Sequence, residues 1–262
     1  MKTILILAAN PKDTNQLRLD EEVREIDEVL RQAGIKDEFE LKQRWAVRPR
    51  DVQQAMLSCN PAIVHFSGHG TGEQGLALED GEGNIKLVDT AALAGLFKLF
   101  ASKVECVILN ACYSEVQAEA IAQYISYVIG MSQPIEDKAA IEFAVGFYNA
   151  LGAGRSYPDA FDFGCNNIQL AGIAGYQTPV LQHNPDVVVP NASVEPKTSL
   201  VKEEQLAELR EEYDAVNEEV KALKKSLRID DLTPKQRIKL KRQIQEAETE
   251  RENLEFRRSN LE

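Results

Sequence analysis

From Met1 to about Gln182, short runs of aliphatic and β-branched residues alternate with stretches whose apolar positions recur every three or four places. That alternation is the pattern of a sheet covered by helices, an α/β fold. The run Ile4-Leu5-Ile6-Leu7 predicts a strand over 3–9, and Leu19, Val23, Ile26, Val29 and Leu30 predict a helix over 17–33 closed by Gly34. A strand over 39–47 follows, then a helix opened by Arg48-Pro49 and reaching Ser58. Ala62-Ile63-Val64-His65-Phe66 reads as a buried strand ending in the turn Ser67-Gly68-His69-Gly70. Residues 75–88 carry a hairpin signal around Asp80-Gly81-Glu82-Gly83-Asn84, and a helix is expected near 90–101. Val104–Leu109 is a further buried strand that stops at Asn110-Ala111-Cys112-Tyr113-Ser114. Ser114 and Gln117 have capping-box spacing for a helix starting at Glu115. Tyr127-Val128-Ile129-Gly130 predicts a strand, 137–151 and 157–170 predict helices, and Val180-Leu181 predicts an edge strand.

The pattern changes after His183. Residues 183–197 hold Pro185, Pro190 and Pro196 without helical periodicity and read as a linker between a domain at 1–182 and a module at 198–262. In that module Leu206, Leu209, Tyr213, Val216, Val220, Leu223 and Leu227 follow heptad-like spacing. The seam breaks at Ile229-Asp230-Asp231-Leu232, and Thr233-Pro234 with Gln236 signals a fresh helix start. Leu240, Ile244, Ala247, Leu254 and Leu261 continue it. A short break between two such helices predicts an antiparallel helical hairpin. It would pack on itself or on another chain, so a homo-oligomer is one arrangement it allows.

Composition narrows the class. With 44% hydrophobic residues in 262, the chain can bury a substantial core. Its longest apolar runs fall far short of the roughly 20 residues that span a bilayer. Met1-Lys2-Thr3 leads directly into a core-like strand, so the amino terminus reads as fold and not as a signal. A net charge of −12, from 30 Lys plus Arg against 42 Asp plus Glu, disfavours wholesale binding to nucleic acid or to an anionic membrane. Most of that excess lies before residue 198. The four cysteines, Cys59, Cys106, Cys112 and Cys165, have neither disulfide-framework nor metal-ligand spacing, which suits a reducing, cytoplasmic setting.

Two strand ends carry the chemistry. A cysteine nucleophile needs an imidazole to shuttle its proton and backbone N–H groups to hold the oxyanion. Cys112 lies just ahead of a capped helix, whose positive end favours a thiolate, and His69 lies between Gly68 and Gly70, which leave the backbone open to a substrate. In open α/β sheets, ligands bind beyond the carboxyl ends of the strands, where both residues fall. His65 lies four places before His69, but no third ligand completes a metal site. No metal or other cofactor is therefore expected. The turn Asn10-Pro11-Lys12-Asp13 lacks the glycines of a dinucleotide fingerprint.

Val64-His65-Phe66-Ser67-Gly68-His69-Gly70 followed by Leu109-Asn110-Ala111-Cys112-Tyr113-Ser114 resembles the CHAT family of caspase-like peptidases, relatives of separase and the caspases. The resemblance extends through the Leu76–Gly81 hairpin and the stretch from Tyr127 to Gly154, and it leaves the tail unmatched. It implies a caspase-like, mostly parallel sheet with flanking helices. It also implies a cysteine endopeptidase with His69 as general base, Cys112 as nucleophile, and the Gly70 and Cys112 amides as oxyanion hole. In the family a W-x-V-x-D pattern follows the strand after the cysteine helix. Here Gln133-Pro134-Ile135-Glu136-Asp137 keeps the acid and replaces Trp with Gln. Glu136 and Asp137 are thus candidates for a pocket that selects Arg or Lys before the scissile bond, although acids also suit the first turn of the next helix. The expected partners are a protein substrate and an adaptor or regulator bound by the helical tail, which resembles effector-associated modules. A caspase-like interaction scaffold without turnover is the alternative reading.

Overall fold

A computed structural model describes residues 1–33, 38–187, 197–227 and 233–259. Two compact units are present, residues 1–194 and 195–262. Gly34, the expected stop of the first helix, lies outside the described residues, as do most of the expected linker, the break at 229–232, and Leu261.

The first unit is built on a six-stranded sheet: β1 (Lys2–Ala8), β2 (Phe39–Arg44), β3 (Ile63–Ser67), β7 (Cys106–Asn110), β8 (Tyr127–Met131) and β9 (Pro179–His183). Their order is β2-β1-β3-β7-β8-β9, parallel throughout except for the antiparallel edge strand β9. The fold class read from the sequence, a mostly parallel sheet with flanking helices, is the one observed. Between them β4 (His69–Gly70), β5 (Leu76–Glu79) and β6 (Ile85–Val88) form a small antiparallel sheet.

Alternate residues of one strand serve two cores, because successive side chains point to opposite faces. On β1, Leu5 and Leu7 join Val64, Phe66, Val107 and Leu109 on one face. There they meet α2 (Pro49–Cys59), α3 (Thr90–Leu99) and α4 (Glu115–Ile121) through Val52, Met56, Leu93, Phe97 and Ile121. Ile4 and Ile6 join Ile63, Ile108 and Ile129 on the other face. That face is covered by α1 (Leu19–Gln32), α5 (Asp137–Gly152) and α6 (Tyr157–Leu170) through Val23, Ile26, Phe143, Phe147 and Ile168. Burial on both faces explains why the central strands read as unbroken apolar runs.

The chain leaves β1 toward β2 on one side and returns to add β3 on the other. Such a reversal opens a crevice at the carboxyl ends of the two strands, where ligands commonly bind.

The second unit is a pair of helices, α7 (Lys197–Leu227) and α8 (Pro234–Ser259). Val220, Ile244, Ala247 and Leu254 are buried between them. Lys224 pairs with Glu248 at 2.6 Å and Arg251 donates to Asn217 at 3.3 Å, a register that runs antiparallel. Thr233 and Gln236 form the expected capping box, with Gln236 N–H donating to Thr233 Oγ1 and Thr233 N–H donating to Gln236 Oε1. Among the described residues, no helix is long and apolar enough to cross a membrane.

Candidate active site

The β3–β7 pairing sets the site's geometry. Ser67 lies opposite Asn110 in the parallel register, and Gly68 N–H donates to Asn110 O at 3.3 Å. The chain then runs through His69 on one side and Cys112 on the other. Gly70 brings the two segments into backbone contact: a Cβ built there would lie 2.2 Å from the Cys112 carbonyl oxygen. Only glycine permits that approach. His69 and Gly70 also pair with Ala77 and Leu76, so the hairpin fixes the histidine's segment from outside.

The loop between β1 and α1 completes the crevice. Asn10 staples it, accepting from Leu17 N–H at 3.2 Å and donating to Leu17 O at 3.0 Å. The hairpin braces it through Lys12 N–H to Gly83 O and Ile85 N–H to Asp13 Oδ1. Held this way, the Asn15 carbonyl meets His69 Nε2 at 2.8 Å. A carbonyl oxygen only accepts, so Nε2 carries the proton of the neutral ring and Nδ1 is left as its basic nitrogen. A contact made by a main-chain carbonyl carries no residue signature, and Asn15 could not have been found from the sequence.

Cys112 is half-buried, with its thiol 3.9 Å from Ile135 O. Tyr113, the next residue, sits at φ 54°, a left-handed conformation sparsely populated outside glycine. Ala111, Tyr113 and Ser114 each donate a backbone N–H to a carbonyl, whereas Cys112 N–H has no such partner among the described residues. An amide free beside the thiol is what an oxyanion donor requires.

The expected capping box at α4 is not formed. Ser114 and Gln117 are fully buried and spend their side chains elsewhere. Ser114 Oγ donates to Leu109 O at 2.7 Å and accepts from Met131 N–H at 3.0 Å. Gln117 Nε2 donates to Gly72 O and Thr90 Oγ1, both at 2.8 Å. Burial favours these tertiary bonds over the local cap, because a polar group without a partner is costly away from water. Their effect is to tie the cysteine turn to its neighbouring strands and to the loop after His69.

Burial raises the Cys106 thiol far above its ordinary range, and burial with Asp162 nearby pushes Cys165 up to about 12. Both are therefore unreactive thiols. Cys59 is half-buried near Arg44, at 3.7 Å.

Glu136 and Asp137 directly follow Ile135, whose carbonyl touches the thiol. Glu136 is exposed. Asp137, the first residue of α5, accepts from Arg18 Nε at 2.7 Å and from Arg18 N–H at 3.3 Å. His65 is engaged too, 3.0 Å from Glu22 and 3.0 Å from Tyr148 OH. Among the described residues, no three or more His, Cys, Asp or Glu side chains gather as a metal site would need.

An α/β domain that sets the segment carrying His69 against the turn carrying Cys112, at the carboxyl edge of its sheet, is thereby defined. The CHAT domain matches residues 2–162, and the chain belongs to the CHAT family. It is similar to a protein named "Probable protease" from Gillisia limnaea, 26% identical over 153 residues, covering 58% of this chain and 27% of that protein. It is also similar to a "Roc-COR-CHAT protease" from an unknown prokaryotic organism, 26% identical over 157 residues, covering 57% of this chain and 15% of that protein. The chain thus spans well under half the length of either relative. Among solved structures, caspase-1 from Spodoptera frugiperda matches at 11% identity and TM-score 0.46, over 70% of this chain and 85% of that one. The Drosophila initiator caspase Dronc matches at 8% and 0.47, over 69% and 78%.

Proposed function

We propose that this chain is a cysteine endopeptidase in which Cys112 and His69 act as a dyad. The approach of Gly70 to the Cys112 carbonyl carries this reading, since it sets the histidine's segment against the cysteine's turn. His69 Nδ1 takes the thiol proton and the sulfur attacks the scissile carbonyl. The resulting oxyanion is held by Cys112 N–H together with the Gly70 amide. The imidazolium returns its proton to the leaving amine, and a water activated by the freed base hydrolyses the thioester. Both curated relatives carry the word protease in their names, which supports the same class.

Sampling of newly created N-termini in a bacterial proteome tests the proposal. Cleavages should appear with the native chain and vanish after iodoacetamide has marked Cys112; cleavages that persist once Cys112 is alkylated would overturn it. The hairpin of α7 and α8 is read as the element that recruits a partner. Removing residues 198–262 in the same assay should narrow the set of cleaved proteins, and an unchanged set would count against recruitment.

The preference before the scissile bond is read as basic. Glu136 supports it, being exposed and one residue from the carbonyl that touches the thiol, whereas Asp137 already shares its charge with Arg18. Glu136→Gln should lower kcat/KM for an arginine peptide about three- to tenfold, with a leucine peptide unaffected, as suits an exposed ion pair. An equal effect on both peptides would remove Glu136 from the pocket.

A further inference from the structure

One buried carboxylate joins the two strand ends that carry His69 and Cys112. Glu22, on α1, is 3% exposed, and its neighbours Ser67, His65, Asn110 and Tyr148 are all buried. Ser67 Oγ donates to Glu22 Oε2. Asn110 Nδ2 donates to Glu22 Oε1 at 2.6 Å and to Ala140 O at 3.1 Å. His65 Nε2 lies 3.0 Å from Glu22 Oε1 without hydrogen-bond alignment. Ser67 and Asn110 face each other across the β3–β7 pair, each just ahead of the segment that carries one member of the dyad.

We propose that Glu22 is a positioning residue, a carboxylate clamp that holds the ends of β3 and β7 in the register at which His69 and Cys112 react. The inference rests on the dyad reading above. Three features favour a clamp over ordinary packing. A lone carboxylate is costly to bury unless several donors surround it, and those here come from both strands of the site. Asn110 leaves Oδ1 buried and unpartnered in order to aim its amide at Glu22 and Ala140, a cost that packing alone does not require. Behind the carboxylate, His65 Nδ1 meets Tyr148 OH at 3.0 Å with the two rings stacked. Burial, then Cys106 and Glu22, hold that phenol protonated well above its ordinary range, so it can donate to His65 Nδ1 and fix the ring behind the carboxylate.

The test is the rate at which iodoacetamide alkylates Cys112 in the full chain, followed by peptide mass spectrometry with Cys59 as internal reference. His69→Ala measures what the imidazole contributes to that rate; no change there would sink the dyad reading and leave the clamp without a purpose. Glu22→Gln keeps the shape and removes the charge. It should slow Cys112 about tenfold, toward the His69→Ala value, while Cys59 is unchanged and the unfolding transition stays cooperative. A folded Glu22→Gln variant whose Cys112 reacts within about twofold of the native rate, while His69→Ala is slow, would overturn the clamp and spare the dyad. If Glu22→Gln does not fold, Ser67→Ala decides, since it removes one arm and little volume: a several-fold loss confined to Cys112 supports the clamp, and a native rate rejects it.

Discussion

Cys112→Ala is expected to abolish peptide cleavage, a fall on the order of 10⁴-fold or more, because the proposed mechanism needs a thiol nucleophile and a methyl group cannot attack. His69→Ala should lower the rate by about 10²- to 10⁴-fold, the usual range for losing a general base. The double variant should be no slower than Cys112→Ala alone. Groups that act as one unit are strongly non-additive: once the nucleophile is gone, the base has nothing to deprotonate. Steady-state kinetics on one cleaved peptide, with all three variants folded, checks this. Additive losses would mean that His69 acts in some other step. A single Asn15 substitution should change little by comparison, because the main-chain carbonyl that holds His69 Nε2 survives a change of side chain.

How far this arrangement was legible in the sequence depends on which atoms do the work. The parallel strands declare themselves as apolar runs because they are buried on both faces, and the turns that close them place His69 and Cys112 at the carboxyl edge of the sheet. Glu22 left a quieter signal. It stands on the stripe of Leu19, Val23, Ile26 and Leu30, where a charge has no place unless something buried meets it. His65, inside a strand covered on both faces, was the matching half. Neither names the other, since α1 and β3 are joined only through the topology of the sheet. Ser114 and Gln117 show the opposite failure, where spacing that suits a local cap was overridden by burial. Arg18 and Asp137, 119 positions apart in the chain, give no sign of each other in the sequence.

Gly70→Ala should nearly abolish activity although it adds one methyl group and touches no side chain of the dyad. The added Cβ would meet the Cys112 carbonyl oxygen at 2.2 Å and Ala111 Cβ at 3.3 Å. The first contact cannot be relieved by a side-chain rotation, because the obstacle is backbone. Either the His69–Gly70 strand lifts from the cysteine turn or the turn moves away, and both displace an oxyanion donor relative to the sulfur. A misplacement of about 1 Å costs on the order of 10²-fold in rate, and overpacking of this kind destabilises by about 1–3 kcal/mol. Gly95, within α3, supplies the control: nothing lies within 4 Å of a Cβ added there. Gly95→Ala should raise stability by up to about 1 kcal/mol through helix propensity and leave kcat unchanged. Thermal unfolding and turnover measured together separate the two outcomes. If Gly70→Ala kept native turnover, His69 and Cys112 would not depend on the close approach of their backbones, and the geometry on which the dyad rests would have to be sought elsewhere on the sheet's carboxyl edge.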